Sequence, residues 1–324
     1  MTDSEKVPFK KARNTALTDS FEKALGVKRS TARVYASAIA SLSRKVNEST
    51  DDIHWLTKKK ILKHVGDINN LTRRKNLASA IVAGLKVLQE KRMIEKYREI
   101  LMKADKDYSA YLQSGKRKRP YKDADATWTR IKGLWKKASA VVSAQKLYEK
   151  GESINASDYR TLITLVYLKF ISDMPVRRLE YAETRFVDRE PPEKGNYIIC
   201  HKKKPWEWSI SHYKTFSRYG KQRFVVTSGL KKILKRLRPI VKAKDVNEHI
   251  FLNSRWTKMS RDVFSKFVSK IFQTYMGKAF TQNTIRSIRV SSVWKDSVKT
   301  IEALQLAESM GHDVRTAMET YRDN

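Results

Sequence analysis

In the first third of the chain, apolar residues recur every three or four positions, and polar or charged residues fill the positions between them. This is the spacing of helices that bury one face. One such stripe consists of Val34, Ala38, Leu42 and Val46. We therefore predict a small all-α domain over residues 17–113, with a polar, flexible basic arm over residues 1–16 ahead of it.

A basic linker is predicted after this domain, over residues 114–127. Gly115 and Pro120 break helices there, and Lys116–Arg119 are four consecutive cations. Such a segment is solvated and can contact phosphates. A cationic run of this kind is also a candidate nuclear-import signal.

The pattern changes in residues 128–324, which form the second predicted domain. Helical stretches alternate with loops there, and Ser157–Ile171 is the most apolar of them. Three short runs have the composition of β-strands, namely Tyr197–Cys200, Trp206–Ile210 and Arg223–Val226. The sequence therefore predicts a chain that is mainly α, with one small antiparallel β-sheet in its C-terminal domain.

The chain carries 68 Lys and Arg residues against 34 Asp and Glu residues, a formal net charge of +34. Its 40% hydrophobic residues exclude a disordered basic tail, which lacks the apolar area to offset the entropy of ordering. A charge of this size indicates a polyanionic partner, because each phosphate contact releases condensed counterions. It does not define an activity, and a generic cationic surface is the alternative.

Several other classes of protein are excluded. The chain has no run of about 18 apolar residues and no apolar segment typical of a secretory signal, so we expect no contact with a membrane. A single cysteine, Cys200, excludes an internal disulfide and is typical of a reducing compartment, the cytoplasm or the nucleus. The six histidines lack metal-ligand spacing, so we expect no metal and no cofactor.

The last part of the chain contains an ordered set of residues suited to phosphate chemistry. A Thr, an apolar residue and an Arg are followed by a Gly-His pair, and a Tyr lies nine positions after the His. These residues are Thr281, Ile285, Arg286, Gly311, His312 and Tyr321. In order and spacing they resemble the C-terminal motif of the tyrosine recombinases (the phage-integrase family), which is T-x-H-x-L-R, then Gly-His, then Tyr.

The upstream motif of that family, G-L-R-x-x-E after an apolar helix, has a counterpart ahead of the predicted sheet. Arg177 takes the position of the Arg and Glu180 that of the Glu, whereas Pro175 replaces the Gly. Arg178 is a rival for the arginine position. An ion pair at a helix end is the alternative interpretation of these residues.

The family also places a lysine in the β-hairpin between the two motifs. We assign this lysine to Lys214, since the local sequence is similar to that of recombinases from large DNA viruses and eukaryotic mobile elements. In those proteins the lysine precedes the final strand. Lys204 is the alternative.

One position departs from the family pattern. Asn283 stands where His or Lys is usual, three residues before Arg286. Asn carries no proton at neutral pH, although it can hydrogen-bond a phosphate oxygen. A shifted register would make Arg289 the second arginine.

The resemblance implies a helical core-binding domain, an α+β catalytic domain, and cleavage and rejoining of double-stranded DNA through a 3′-phosphotyrosine. The site residues that it implies are Arg177, Lys214, Asn283, Arg286, His312 and Tyr321. The arginines would clamp the scissile phosphate, and the asparagine and histidine would hydrogen-bond it. The tyrosine would attack, and the lysine would protonate the leaving 5′ oxygen.

We expect a monomer that assembles into a tetramer on DNA. Two other functions stay open. A type IB topoisomerase shares these residues but rejoins the original strand, and a non-catalytic DNA-binding protein on the same scaffold is favoured by Asn283.

Overall fold

The computed structural model describes residues 8–113, 126–177, 179–294 and 300–311, and the chain divides into two compact units, Met1–Arg117 and Lys118–Asn324. Each unit has its own hydrophobic core. None of the helices in the described ranges combines the length and the apolar content that a bilayer crossing requires. The predicted linker up to residue 125, with Lys116–Arg119, lies outside these ranges.

Within the described residues, the N-terminal unit is a bundle of five helices, α1 to α5. Their bounds are Pro8–Leu25, Arg29–Val46, Lys59–Gly66, Leu71–Val87 and Lys91–Gln113. Of the predicted stripe of α2, Leu42 is buried and Ala38 and Val46 pack against the core, whereas Val34 is 60% exposed. Alanines at helical spacing, which the larger Val residues obscured in the sequence pattern, line the buried face.

The first helix corrects the predicted arm. α1 begins at Pro8, so residues 8–16, which the sequence assigned to a flexible segment, are helical. Proline is favoured in the first turn of a helix, since its missing N–H would have no intrahelical partner there. No further Pro or Gly interrupts the segment before Leu25.

The C-terminal unit is mainly α, as the sequence predicts. Its helices are α6 Trp128–Ala144, α7 Ala156–Asp173, α8 Phe216–Tyr219, α9 Ser228–Lys244, α10 Arg261–Met276, α11 Gln282–Trp294 and α12 Thr300–Ser309. Ten residues of α7 are buried, because its apolar side chains cover the whole circumference of the helix. This helix therefore forms the centre of the core, with α6 and α9 packed against it.

Four short strands form one mixed sheet in the order β1-β2-β3-β4. Their bounds are Thr184–Val187, Asn196–Ile199, Glu207–Ile210 and Gln222–Val225. β2, β3 and β4 are antiparallel and correspond to the three predicted strands, with bounds that differ by one residue. β1 pairs in parallel with β2, so the whole sheet is mixed instead of antiparallel. The sequence did not predict β1, because its pairing with β2 and not its own four residues defines it as a strand.

Aromatic packing joins the sheet to the end of α7. Trp208 of β3 is fully buried, with its ring centroid 5.0 Å from that of Phe170 and 5.2 Å from that of Tyr181. Phe170 belongs to the last turn of α7, and Tyr181 follows that helix in a short 3-10 turn. The segment between them, which contains Arg177, is thereby fixed against the sheet.

Candidate active site

The connection between α7 and β1 places Arg177 in the interior. The Tyr181 hydroxyl accepts a hydrogen bond from the Arg177 backbone N–H at 3.0 Å and donates one to the Pro175 carbonyl at 3.0 Å. Burial raises the pKa of the Tyr181 phenol well above its usual value, so the group keeps the proton that it donates. Pro175 supplies a carbonyl to this turn, and its missing N–H is not needed there.

The Arg177 side chain is held from three directions, and the residue is 1% exposed. Its Nη1 donates to Gln222 Oε1 at 2.8 Å and to the Ser309 carbonyl at 2.9 Å. Its guanidinium carbon lies 4.5 Å from the centroid of the Tyr213 ring, a cation–π contact. The Nε atom is buried without a hydrogen-bond partner among the described residues. One donor of this guanidinium is therefore unused within the described residues.

Arg286 enters the same region from α11. The Thr281 hydroxyl caps this helix by accepting from the Thr284 backbone N–H at 3.1 Å, and the buried Ile285 anchors its first turn. Arg286 is 2% exposed, and its Nη2 donates to the Met310 carbonyl at 2.6 Å. The helix thus aims a second buried cation at the end of α12.

The guanidiniums of Arg177 and Arg286 bond to the same turn of the backbone. The carbonyls that they bond belong to Ser309 and Met310, which are consecutive residues at the end of α12. The carboxyl end of a helix carries partial negative charge, which offsets part of the cost of burying two cations. Both charges also reach Tyr181, where they oppose the burial that raises the pKa of its phenol. Such a concentration of buried positive charge is suited to a phosphate.

Gly311 is required by the same turn. Its φ of +70° lies in the left-handed region, and a Cβ there would come within 3.0 Å of Arg177 Nη1. Its carbonyl accepts a hydrogen bond from Thr215 Oγ1 at 3.1 Å. The glycine of the Gly-His pair therefore lets the backbone approach the first arginine closely.

The structure places the two candidate lysines at opposite ends of β3. Lys214 is exposed and lies after the strand, between Tyr213, whose ring faces Arg177, and Thr215, which bonds the Gly311 carbonyl. Lys204 is exposed in the turn between β2 and β3. The residue before Lys214 thus contacts Arg177, and the residue after it bonds Gly311.

The structure also separates the two candidate second arginines. Arg289 lies with its guanidinium carbon 4.9 Å from the centroid of the Trp128 ring, on the side of α11 that faces α6, and burial lowers its pKa. Arg286 instead reaches the turn that Arg177 contacts. Asn283 is exposed in the first turn of α11. Arg178, His312 and Tyr321 lie outside the described residues, and their roles stay predictions.

Four side chains that contact Arg177 or the turn at the end of α12 were not foreseen as part of the site from the sequence: Tyr181, Tyr213, Thr215 and Gln222. Tyr213, Thr215 and Gln222 each contact a segment remote from their own, so no local pattern indicates them. Tyr181 bonds the turn four to six residues before it. Within the described ranges, no group of three His, Cys, Asp or Glu side chains is placed to hold a metal ion.

The sequence matches no protein-family model and no curated protein. Among solved structures, the chain is similar to the crystal structure of XerA recombinase, with a TM-score of 0.39 and 12% sequence identity over 97% of this chain and 94% of that chain. A similarity this distant does not assign a function. The proposal below therefore depends on the residues of the site.

Proposed function

We propose that the chain is a site-specific DNA recombinase or integrase, which cuts and rejoins DNA strands through a 3′-phosphotyrosine. The observation that carries this proposal is the meeting of Arg177 and Arg286, both buried, at the turn that directly precedes His312. These two arginines are the ones that the motif resemblance assigns to the phosphate clamp.

The electrostatics support a reaction at phosphorus. In-line attack on a phosphodiester adds negative charge to its non-bridging oxygens, and guanidiniums that are already fixed stabilise that charge without reorganisation. The hydrogen-bond acceptors of the Arg177 guanidinium among the described residues are neutral oxygens, so no carboxylate there neutralises its charge. The net charge of +34 attracts the DNA backbone to the protein as a whole.

The covalent step can be written with all its atoms. The Tyr321 oxygen bonds to the phosphorus, the bond from phosphorus to the 5′ oxygen breaks, and the phenolic proton passes to solvent. The ammonium of Lys214 gives its proton to the departing 5′ oxygen, a transfer that a lysine can make and an arginine cannot. Attack by a 5′-hydroxyl of another duplex reverses the step and releases the tyrosine. His312 donates a hydrogen bond to the phosphate.

Assembly and location belong to the same proposal. Exchange between two duplexes needs four cut strands to be held together, which implies a tetramer on DNA formed by monomers. The substrate is double-stranded DNA of the cytoplasm or the nucleus.

Trapping of a covalent complex tests this function. A pool of random-sequence duplexes, each with a nick that lets the cut end diffuse away, is incubated with the full chain, and the attached residue is mapped by mass spectrometry. We expect a complex through Tyr321 that Tyr321→Phe abolishes and that the matched control Tyr275→Phe retains. Absence of any complex would leave a non-catalytic DNA-binding protein.

A second assay separates recombinase from topoisomerase. The trapped duplex is offered another duplex with a free 5′-hydroxyl, and joined products are sequenced. Joining between different duplexes supports strand exchange. Relaxation of supercoiled plasmid without such joining would instead assign a type IB topoisomerase.

A further inference from the structure

Four consecutive backbone carbonyls at the end of α12 accept hydrogen bonds from side chains of other elements. The bonds are Gln222 Nε2 to Glu308 O at 2.9 Å, Arg177 Nη1 to Ser309 O at 2.9 Å, Arg286 Nη2 to Met310 O at 2.6 Å, and Thr215 Oγ1 to Gly311 O at 3.1 Å. The last carbonyls of a helix have no intrahelical partner. Here side chains bond these carbonyls, and the Glu308 carbonyl also accepts from the Gly311 backbone N–H at 2.8 Å. The side chains therefore help to fix the backbone of the turn.

Gln222 has a double contact in this arrangement. Its Oε1 accepts from Arg177 Nη1 at 2.8 Å, while its Nε2 donates to the Glu308 carbonyl. A primary amide carries both an acceptor and a donor, so one side chain can bind the arginine and the turn together. Its backbone is fixed in β4 by pairing with Ile210 of β3. Gln222 therefore sets the separation between the guanidinium and the end of α12.

Thr215 makes the corresponding contact from the other side. It follows Lys214 directly, and its hydroxyl holds the carbonyl of Gly311, which directly precedes His312. One hydrogen bond thus links the segment that carries the proposed general acid to the turn that leads into the proposed histidine. The adjacent Tyr213 packs its ring on the Arg177 guanidinium.

We infer that Gln222 and Thr215 are positioning residues, which hold the Glu308–Gly311 turn against Arg177 and thereby align the catalytic groups. This inference rests on the proposed function, since it gives these residues a part in the same site. Neither residue is required to touch DNA. Their contribution is the geometry of the arginine, the lysine segment and the turn, and small displacements of such groups reduce rates strongly.

Substitutions in pairs separate a positioning role from a general effect on folding. Gln222→Leu removes both bonds of the amide, whereas Gln222→Glu keeps the acceptor for Arg177 and loses the donor for the Glu308 carbonyl. Thr215→Val removes the hydroxyl at nearly constant shape, and Thr215→Ser restores it. Gln273→Leu is the matched control, because Gln273 also donates to a carbonyl at a helix end, that of Gly277 in α10, at 3.0 Å.

Two measurements on the full chain test whether Gln222 and Thr215 position the Glu308–Gly311 turn. Backbone hydrogen exchange reports how firmly residues 300–311 are held without DNA. Trapping with the nicked random-sequence duplexes at saturating concentration reports the chemical step. For Gln222→Leu, Gln222→Glu and Thr215→Val we expect exchange faster by about tenfold or more and covalent complex formation slower by about 10- to 100-fold. For Gln222→Leu and Thr215→Val, affinity for the duplex pool should stay within about threefold of that of the unsubstituted protein, because no phosphate contact is removed and no charge is added.

The outcomes that overturn the inference are distinct from those that overturn the function. Exchange that is unchanged in Gln222→Leu and Thr215→Val, or that rises equally in Gln273→Leu, rejects the positioning role. The role is also rejected if exchange and covalent complex formation are as impaired in Thr215→Ser as in Thr215→Val. If the unsubstituted protein forms no covalent complex, the proposed function fails, whereas the exchange data still decide whether these side chains hold the turn.

Discussion

The guanidiniums of Arg177 and Arg286 donate to the carbonyls of Ser309 and Met310, which are adjacent in the chain, although the two arginines come from elements far apart in the sequence. Each arginine is almost completely buried. Each arginine bonds its carbonyl through one terminal nitrogen, although a guanidinium has five N–H donors in a fixed plane. The arrangement therefore depends on the shape of the group as well as on its charge.

Replacement of either arginine by lysine tests that dependence. Arg177→Lys and Arg286→Lys keep the positive charge but lose the planar set of five donors, so a phosphate can no longer be bound bidentately while the carbonyl is held. We expect covalent complex formation to slow by about 10²- to 10³-fold in each variant, measured by trapping on nicked duplexes. Arg289→Lys is the control, since Arg289 packs on Trp128. If covalent complex formation slows only in Arg289→Lys, the register of the motif is shifted and Arg289 is the second arginine.

The identity of the general acid can be tested with a modified leaving group. Lys214→Ala should slow cleavage of ordinary DNA by about 10²- to 10⁴-fold, because the 5′ oxygen then departs without a proton. DNA with sulfur in place of that bridging oxygen should restore most of the rate, since a thiolate leaves without protonation. Lys204→Ala should change neither rate by more than about threefold. The reverse pattern would assign the acid to Lys204.

Tyr181→Phe tests the turn that presents Arg177. The substitution removes the hydroxyl that joins the Pro175 carbonyl to the Arg177 backbone N–H, and both groups are left buried without that partner. We expect the free energy of unfolding to fall by about 1–3 kcal/mol, measured by urea denaturation. Tyr275→Phe, on the half-buried Tyr275 of α10, should change it by less than about 0.5 kcal/mol. Equal effects of the two variants would remove any special role of the Tyr181 hydroxyl.

Cys200 provides a pH-dependent test of the core. Burial raises the pKa of its thiol to about 12, so the native protein holds very little thiolate near neutral pH. Alkylation at about pH 8 should therefore be slower than in the urea-unfolded chain by about 10²-fold or more. The native thiol binds its proton more tightly than the unfolded thiol does. The free energy of unfolding should consequently fall as the pH rises above about 8.5, and Cys200→Ala should lack this contribution.

Sequence patterns predicted the elements with clear periodicity and the residues with a motif. The mainly helical chain and the strands β2 to β4 fall in this group. The motif also selected Arg177 and Arg286, which the structure places at one turn of the backbone. Choosing Arg286 over Arg289 depended on the neighbouring Thr281 and Ile285, and the structure points the two arginines in different directions. The roles of His312 and Tyr321 stay predictions.

The parts that the sequence did not predict depend on contacts between remote segments. Nothing local distinguishes Gln222 from any polar residue of a strand, and its partners Arg177 and Glu308 come from two other elements. The parallel strand β1 was missed for a similar reason, because its partner strand and not its own four residues defines it. The helical start of α1 is a local exception, because Pro8 suits the first turn of a helix whereas the polar and basic composition of residues 1–16 had indicated a flexible arm.

The shared turn at the end of α12 has one more consequence. Because Ser309 and Met310 are joined by a single peptide bond, any movement that withdraws one of their carbonyls from its arginine withdraws the other as well. The two arginines would then lose these two acceptors together, while Arg177 would keep its bond to Gln222 Oε1. In the proposed function, the binding of a phosphate at this place would therefore be coupled to the conformation of one short peptide that both arginines contact.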